Sequence, residues 1–400
     1  MEISAEEFQR RQLRLLDACR DLDLDALVIV ANGSCFGLSG RSQGYMGFFC
    51  GWNSFDSPSA LILQHGQSPR LVVVHRRMLM MALETVPNIS VDWIDQDAFG
   101  LGIKRAITAN GLSPRRLGIC GWEDVIAKSW KSVETELSDA KLVDITERAA
   151  PLRAIKSAPQ LQMHREAARL CDEMFGLLSK LPVVGRFGYQ IKADIECFAK
   201  HQGAEFVQHW MSIGNPPDYP RYFHPENRQV VQKGDTVIYG MQIILDGVWG
   251  HAVRCYSVGP SSDRHQTIQS AVLAFQREFI EMMQAGAEMS EVVRAGFKLR
   301  QPVYETIGPG KVDMLRLGHG IGYSYSEPGI SEAFPRSYYD VEQELVRSVP
   351  GRFEPGMIFE IHPLFFYRDG AAAVGDMVVI DSGGPAFMTQ YPRSIIELPA

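Results

Sequence analysis

Residues 236–258 read TVIYGMQIILDGVWGHAVRCYSV. Two runs rich in β-branched and aromatic residues, 236–244 and 248–258, flank Asp246-Gly247. An Asp-Gly pair between such runs signals a hairpin, because the tight turn needs positive φ at both central residues. Upstream, Ser157-Ala158-Pro159-Gln160 has the form of a helix start. Serine caps free amides, proline tolerates the first turn, and glutamine completes a capping box. The pattern predicts a helix to about Leu178, a second over 265–284 ending near Gly286, and another after Ser290. MIFEIHPLFF (357–366) and DMVVID (376–381) supply further strands. Helices and antiparallel strands mix, so this part reads as α+β.

The first part of the chain has a different pattern. Phe8, Leu13, Leu15 and Leu16 among charges predict an amphipathic helix over 6–20. DALVIV (25–30), SALILQ (59–64), RLVVVH (70–75) and RLGIC (116–120) read as buried strands with helical stretches between some of them. This is a small α/β domain, and the reading divides the chain into 1–152 and 153–400.

Composition narrows the function classes. The 400 residues carry a net charge of -7 and no basic cluster, which argues against nucleic acid. No apolar run reaches the roughly 18 residues of a membrane helix. The N-terminus is polar and unlike a signal peptide, so the cytoplasm is expected. Seven cysteines, an odd number without CxxC, read as reduced thiols. Cys255 is kept as a minor site candidate for its place near the motifs.

Four signatures follow one another in the second part: RAIKSAPQLQMHREAARLCDEM (153–174), NRQVVQKGDTVIYG (227–240) with DGVWGHAVRCYSVG (246–259), GHGIG (318–322) followed by Glu327-Pro328, and EPGMIFEIHP (354–363). In this order they resemble the opening helix, central hairpin, histidine loop and PGM strand of the creatinase, prolidase and aminopeptidase P family. The resemblance covers nearly the whole chain. It implies an α+β pita-bread catalytic domain preceded by a creatinase-type N-terminal α/β domain.

Metal-dependent members of that family hold two ions with two aspartates, one histidine and two glutamates. Their positions fall here on Gly240, His251, His319, His362 and Gly375. The resemblance therefore implies an atypical member without the two-ion ligand set. With ten histidines in 400 residues, two new ones at two preset positions is roughly a 1-in-1,600 coincidence. Three imidazoles with an open face suit one divalent transition metal, Fe(II) or Zn(II), with His251, His319 and His362 as ligands. No organic cofactor is expected. Gly240 and Gly375 are expected to leave room for substrate.

Other roles follow from the same resemblance. His224 matches a histidine that serves as general acid and base in creatinase. Ser326 stands where relatives often carry a second histidine. Glu327 and Glu360 are the carboxylate candidates for catalysis, and Glu360 shares a strand face with His362. Asp376 is expected to hydrogen-bond a ligating imidazole. Tyr222, Trp249, Tyr323 and Tyr325 are candidate substrate contacts. In the creatinase branch the N-terminal domain of one subunit helps close the partner's site. Residues 39–56, with Arg41 and Trp52, are expected to do so here in a homodimer. The leading expectation is a small-molecule metalloenzyme that hydrolyses a C–N bond and is not a general peptidase. The alternatives are an iron and dioxygen enzyme at the same site, a metal-free creatinase-like hydrolase using His224, and a binding module without chemistry.

Overall fold

The computed structural model describes residues 3–32, 41–53, 56–109, 111, 113–222, 224, 227–314, 317–327 and 351–399. The chain divides into two compact units, one of Glu2–Ala154 with Gly322–Glu327, the other of Ile155–Ile321 with Pro328–Ala400 and Met1. Among the described residues no helix is long and apolar enough to cross a membrane.

The first unit is built on a six-stranded mixed sheet. Its order is Ser90–Ile94, Arg70–Val74, Ser59–Leu63, Ala26–Ala31, Arg116–Cys120, Lys141–Asp144. The central strand Ala26–Ala31 is buried at every position. Leu27, Ile29 and Ala31 enter one core cluster, and Ala26, Val28 and Val30 enter another. Both faces are covered, so the strand is a continuous apolar run rather than an alternating one. Ser90–Ile94 and Lys141–Asp144 escape the sequence reading for a physical reason. They are the two edges, half-exposed, and carry no apolar run.

In the second unit the expected hairpin forms from Thr236–Leu245 and Val248–Val258. Asp246 and Gly247 both have positive φ, 50° and 76°. The hairpin lies between Phe206–Gly214 and Ile396–Leu398 in a four-stranded sheet. A second sheet runs Gly318–Gly320, Ile358–Ile361, Asp376–Asp381, Gly384–Phe387. The run 357–366 is not one strand. It breaks at His362-Pro363 into Ile358–Ile361 and Leu364–Tyr367, because proline has no N–H to give a ladder. The two four-stranded sheets meet where Val253 and Gly375 exchange backbone hydrogen bonds of 3.1 and 2.9 Å.

Helices lie against these sheets. The helix Ala158–Leu178 starts as its sequence indicates, with Gln160 Oε1 accepting the Ser157 N–H at 3.1 Å. The helices Asp263–Glu281 and Met289–Leu299 follow the expected pattern. Beneath the junction lies a buried polar network. Asp376 accepts hydrogen bonds from Arg254, Arg393, Gln276 and Thr389. Burial alone would raise its carboxyl, but the Arg254 and Arg393 guanidiniums hold it below its ordinary value. Asp376 is therefore committed to arginines, which corrects the expectation that it supports an imidazole.

Candidate metal centre

Hairpin register decides which side chains face each other. His251 stands opposite Gln242, and His319 stands opposite Glu360 in the second sheet. Because the sheets join at Val253 and Gly375, the hairpin histidine comes up against the second sheet's carboxylate. His362 follows Glu360 by two residues, just beyond the strand end.

Three imidazoles converge on one carboxylate oxygen. Glu360 Oε2 lies 3.3 Å from His251 Nδ1, 3.3 Å from His362 Nε2 and 3.8 Å from His319 Nε2. The three imidazole centroids are 5.5–5.6 Å apart. His251, His319 and Glu360 are fully buried, and His362 is 3% exposed. One atom each of His251, His319 and Glu360 lie within 4.8 Å of one another, and His362 joins through the carboxylate. The sequence reading put Glu360 beside the histidines; the structure puts it among them.

One tautomer is fixed by geometry. His319 Nδ1 lies 2.9 Å from the Gly320 carbonyl oxygen. A carbonyl only accepts, so Nδ1 carries the hydrogen. A neutral ring then turns its Nε2 lone pair toward the centre, as a metal ligand must. The edge of Trp210 packs on His251 with centroids 5.5 Å apart and planes at 89°. Two nitrogen donors with one carboxylate, and a third nitrogen at hand, are a chemically sensible set for one divalent transition ion.

The vacant positions at Gly240 and Gly375 are already filled. A Cβ on Gly375 would stand 2.5 Å from Glu360 Oε1, and one on Gly240 would overlap the Tyr222 hydroxyl. The expectation that these glycines leave room for substrate is therefore corrected. Glu360 occupies the space beside Gly375, and the Tyr222 hydroxyl that beside Gly240. Gly240→Ala should destabilise the fold by about 1–3 kcal/mol through overpacking. Adding Tyr222→Phe should recover most of that loss, since the offending atom is the hydroxyl. Urea melts of the two single variants and the double variant measure this coupling; simple additivity would contradict it.

Several candidates lie elsewhere. Glu327 groups with the N-terminal unit, where its carboxylate is 2.8 Å from Arg153 and accepts the Tyr323 N–H at 2.9 Å. It is a buried ion-pair partner of Arg153, which corrects its assignment as a catalytic carboxylate. Tyr323 packs edge-on against Phe48, and Tyr325 is buried, both in that same unit. Trp52 is 1% exposed inside the N-terminal core, which corrects its assignment as a substrate contact. Arg41 opens the helix Arg41–Cys50, but its side chain lies outside the described residues, as does Pro328. His224 is exposed on the loop after Tyr219–Tyr222, whereas Glu360 is fully buried. Trp249 is buried two residues before His251 and packs on Phe206. Cys255 lies 3.5 Å from His265 Nε2, and burial pushes its thiol far up. It belongs to that contact and not to the centre.

Sequence reading missed Gln242. A signal for it existed: the turn at Asp246-Gly247 fixes the register, which puts residue 242 opposite 251.

Residues 162–382 match metallopeptidase family M24, and residues 11–155 match the creatinase/prolidase N-terminal domain. An uncharacterized peptidase of Bacillus subtilis strain 168 is 24% identical over 272 residues, 68% of this chain and 72% of that protein. Creatinase of Bacillus sp. strain B-0618 is 21% identical over 315 residues, 76% of this chain and 73% of that one. The solved structure of Xaa-Pro dipeptidase from Bacillus anthracis is similar with a TM-score of 0.78 at 17% identity, covering 98% of this chain and 100% of that one. That of X-Pro aminopeptidase from Thermotoga maritima gives 0.78 at 19%, covering 97% and 99%. At such identities the structural likeness shows the fold alone. The family match spans more than half of the residues, and the chain belongs to metallopeptidase family M24, with a pita-bread catalytic domain preceded by a creatinase-type N-terminal domain.

Proposed function

We propose that this chain is a small-molecule metalloenzyme with one divalent transition ion, held by His251, His319 and Glu360 with His362 as a further donor. Its reaction is hydrolysis of a C–N bond in a substrate other than a general peptide. The observation that carries the reading is the approach of three imidazole nitrogens to one carboxylate oxygen, at 3.3, 3.3 and 3.8 Å. Ligand atoms around a tetrahedral ion with bonds of about 2.0–2.1 Å stand about 3.4 Å apart, and the two 3.3 Å approaches match that spacing. The filled spaces at Gly240 and Gly375 support one ion rather than two.

A divalent ion bound there supplies Lewis acidity and a water acidified to near neutrality. The chain's own groups do the rest. The Gly320 carbonyl fixes the His319 tautomer. Trp210 and the buried surroundings keep bulk water from His251. The Tyr222 hydroxyl, beside Gly240, would donate a hydrogen bond to charge developing on substrate.

A second reading has its own support. Two histidines and one carboxylate are the donor set of many iron(II) oxygenases. The two separate cleanly. Protein loaded with zinc or with iron(II) is assayed against small amides, ureas and guanidino compounds, with and without dioxygen. Turnover with zinc under anaerobic conditions is expected. Turnover that needs both iron and dioxygen would overturn the hydrolytic reading. Full activity after exhaustive chelation would overturn the metal and leave the metal-free hydrolase using His224.

A further inference from the structure

We infer that Gln242 reads the substrate at this centre, and that its carboxamide selects an uncharged group with an N–H and a C=O on one edge: a primary amide, a ureido group or a lactam. The inference rests on the metal-site reading above and names the substrate class for it.

Gln242 is fully buried. Neither its Oε1 nor its Nε2 has a hydrogen-bond partner among the described residues. Buried amides are almost always paired, and leaving both ends unpaired is costly. The side chain is not remote from the chemistry. It stands directly opposite His251 in the hairpin, with Gln208 as its neighbour on the other strand. Directly opposed side chains lie on the same sheet face, with Cβ atoms about 4.5–5.5 Å apart. Gly240, two residues earlier, shares that face. Gln242 therefore points to the side of the sheet that carries His251 and, at Gly240, the Tyr222 hydroxyl.

The chemistry of the amide edge then sets the ligand. A glutamine carboxamide offers one acceptor and one N–H at fixed separation. Its complement is the reversed pair, a C=O beside an N–H, joined by two parallel hydrogen bonds. A carboxylate would meet the Oε1 lone pairs, and a guanidinium would find one acceptor where it needs two. A group recognised in this way brings its own C–N bond next to His251, whose Nδ1 is 3.3 Å from Glu360.

The test uses metal-loaded full-length protein and three probes of similar size: ethyleneurea, pyrrolidinone and cyclopentanone. Affinities are read by ligand-observed NMR titration, and the metal content of each sample is measured alongside. The wild type is expected to bind ethyleneurea and pyrrolidinone at least about 10-fold more tightly than cyclopentanone, which lacks the N–H. Gln242→Leu should erase that difference. Gln242→Glu, which keeps the shape, should lose it too and gain affinity for guanidinium; it decides the matter if the leucine variant fails to fold. Equal binding of all three probes by the wild type, or no binding of any, overturns the inference. So does a preference that survives in both variants. Wild-type protein that holds no ion yet keeps the preference refutes the metal reading and upholds the role of Gln242.

Discussion

Glu360→Gln protein is expected to lose its ion, with affinity falling at least about 100-fold relative to the wild type. The substitution keeps the size and shape of the side chain, so the contact at Gly375 is preserved. What disappears is a carboxylate oxygen that three imidazoles face. Even partners outside the ligand set change metal affinity about 10- to 100-fold, so a central carboxylate should do more. Metal content by mass spectrometry after dialysis reads the loss. Undiminished metal in Glu360→Gln would remove Glu360 from the ligand set.

Arg153→Met is expected to destabilise the N-terminal unit strongly. Arg153 and Glu327 are 2% and 1% exposed and 2.8 Å apart. The guanidinium also reaches Ser324 at 2.8 Å and lies 4.1 Å from the Tyr45 ring centroid. Burial disfavours its charge, but the Glu327 carboxylate outweighs that and holds it above its ordinary value. Removing it takes the arginine from a buried carboxylate that also accepts the backbone N–H groups of Tyr323 and Ser324. Such one-sided losses cost about 3–5 kcal/mol. For a unit of this size the melting temperature should fall on the order of 10 °C. Arg153→Met with Glu327→Leu should be far more stable than either single change, because no charge is left alone. A double variant no better than Arg153→Met would show that the pair is not what holds this corner.

The sequence and the structure agree where a signal is local. The turn at Asp246-Gly247, the helix start at Ser157 and the apolar central strands are each written within a few residues. His251, His319 and His362 could be brought together before any coordinates because four signatures occur in a fixed order. The failures share a cause. Glu327 looked like a loop acid beside a histidine motif, but its partner Arg153 lies 174 residues away in sequence. Trp52 sits in a stretch of mixed polarity whose burial depends on the whole N-terminal core. The glycines at 240 and 375 suggested empty space, and only the reach of Tyr222 and Glu360 shows that it is taken. Gln242 is the intermediate case. Its register was legible from the turn, but that its amide has no partner among the described residues depends on everything packed around it.

Gly240 and Gly375 stand where the family resemblance implies acidic ligands, and Glu360, two residues before His362, fills the space beside Gly375. One carboxylate among the imidazoles, with no acidic side chain at 240 or 375, is the physical support for the proposal of a single ion.

The most direct measurement is anomalous diffraction at the iron and zinc edges from crystals of freshly purified wild-type protein. One peak should lie within about 2.0–2.4 Å of His251 Nδ1, His319 Nε2 and Glu360 Oε2. Two peaks, or no peak with the carboxylate hydrogen-bonded directly to the imidazoles, would contradict it.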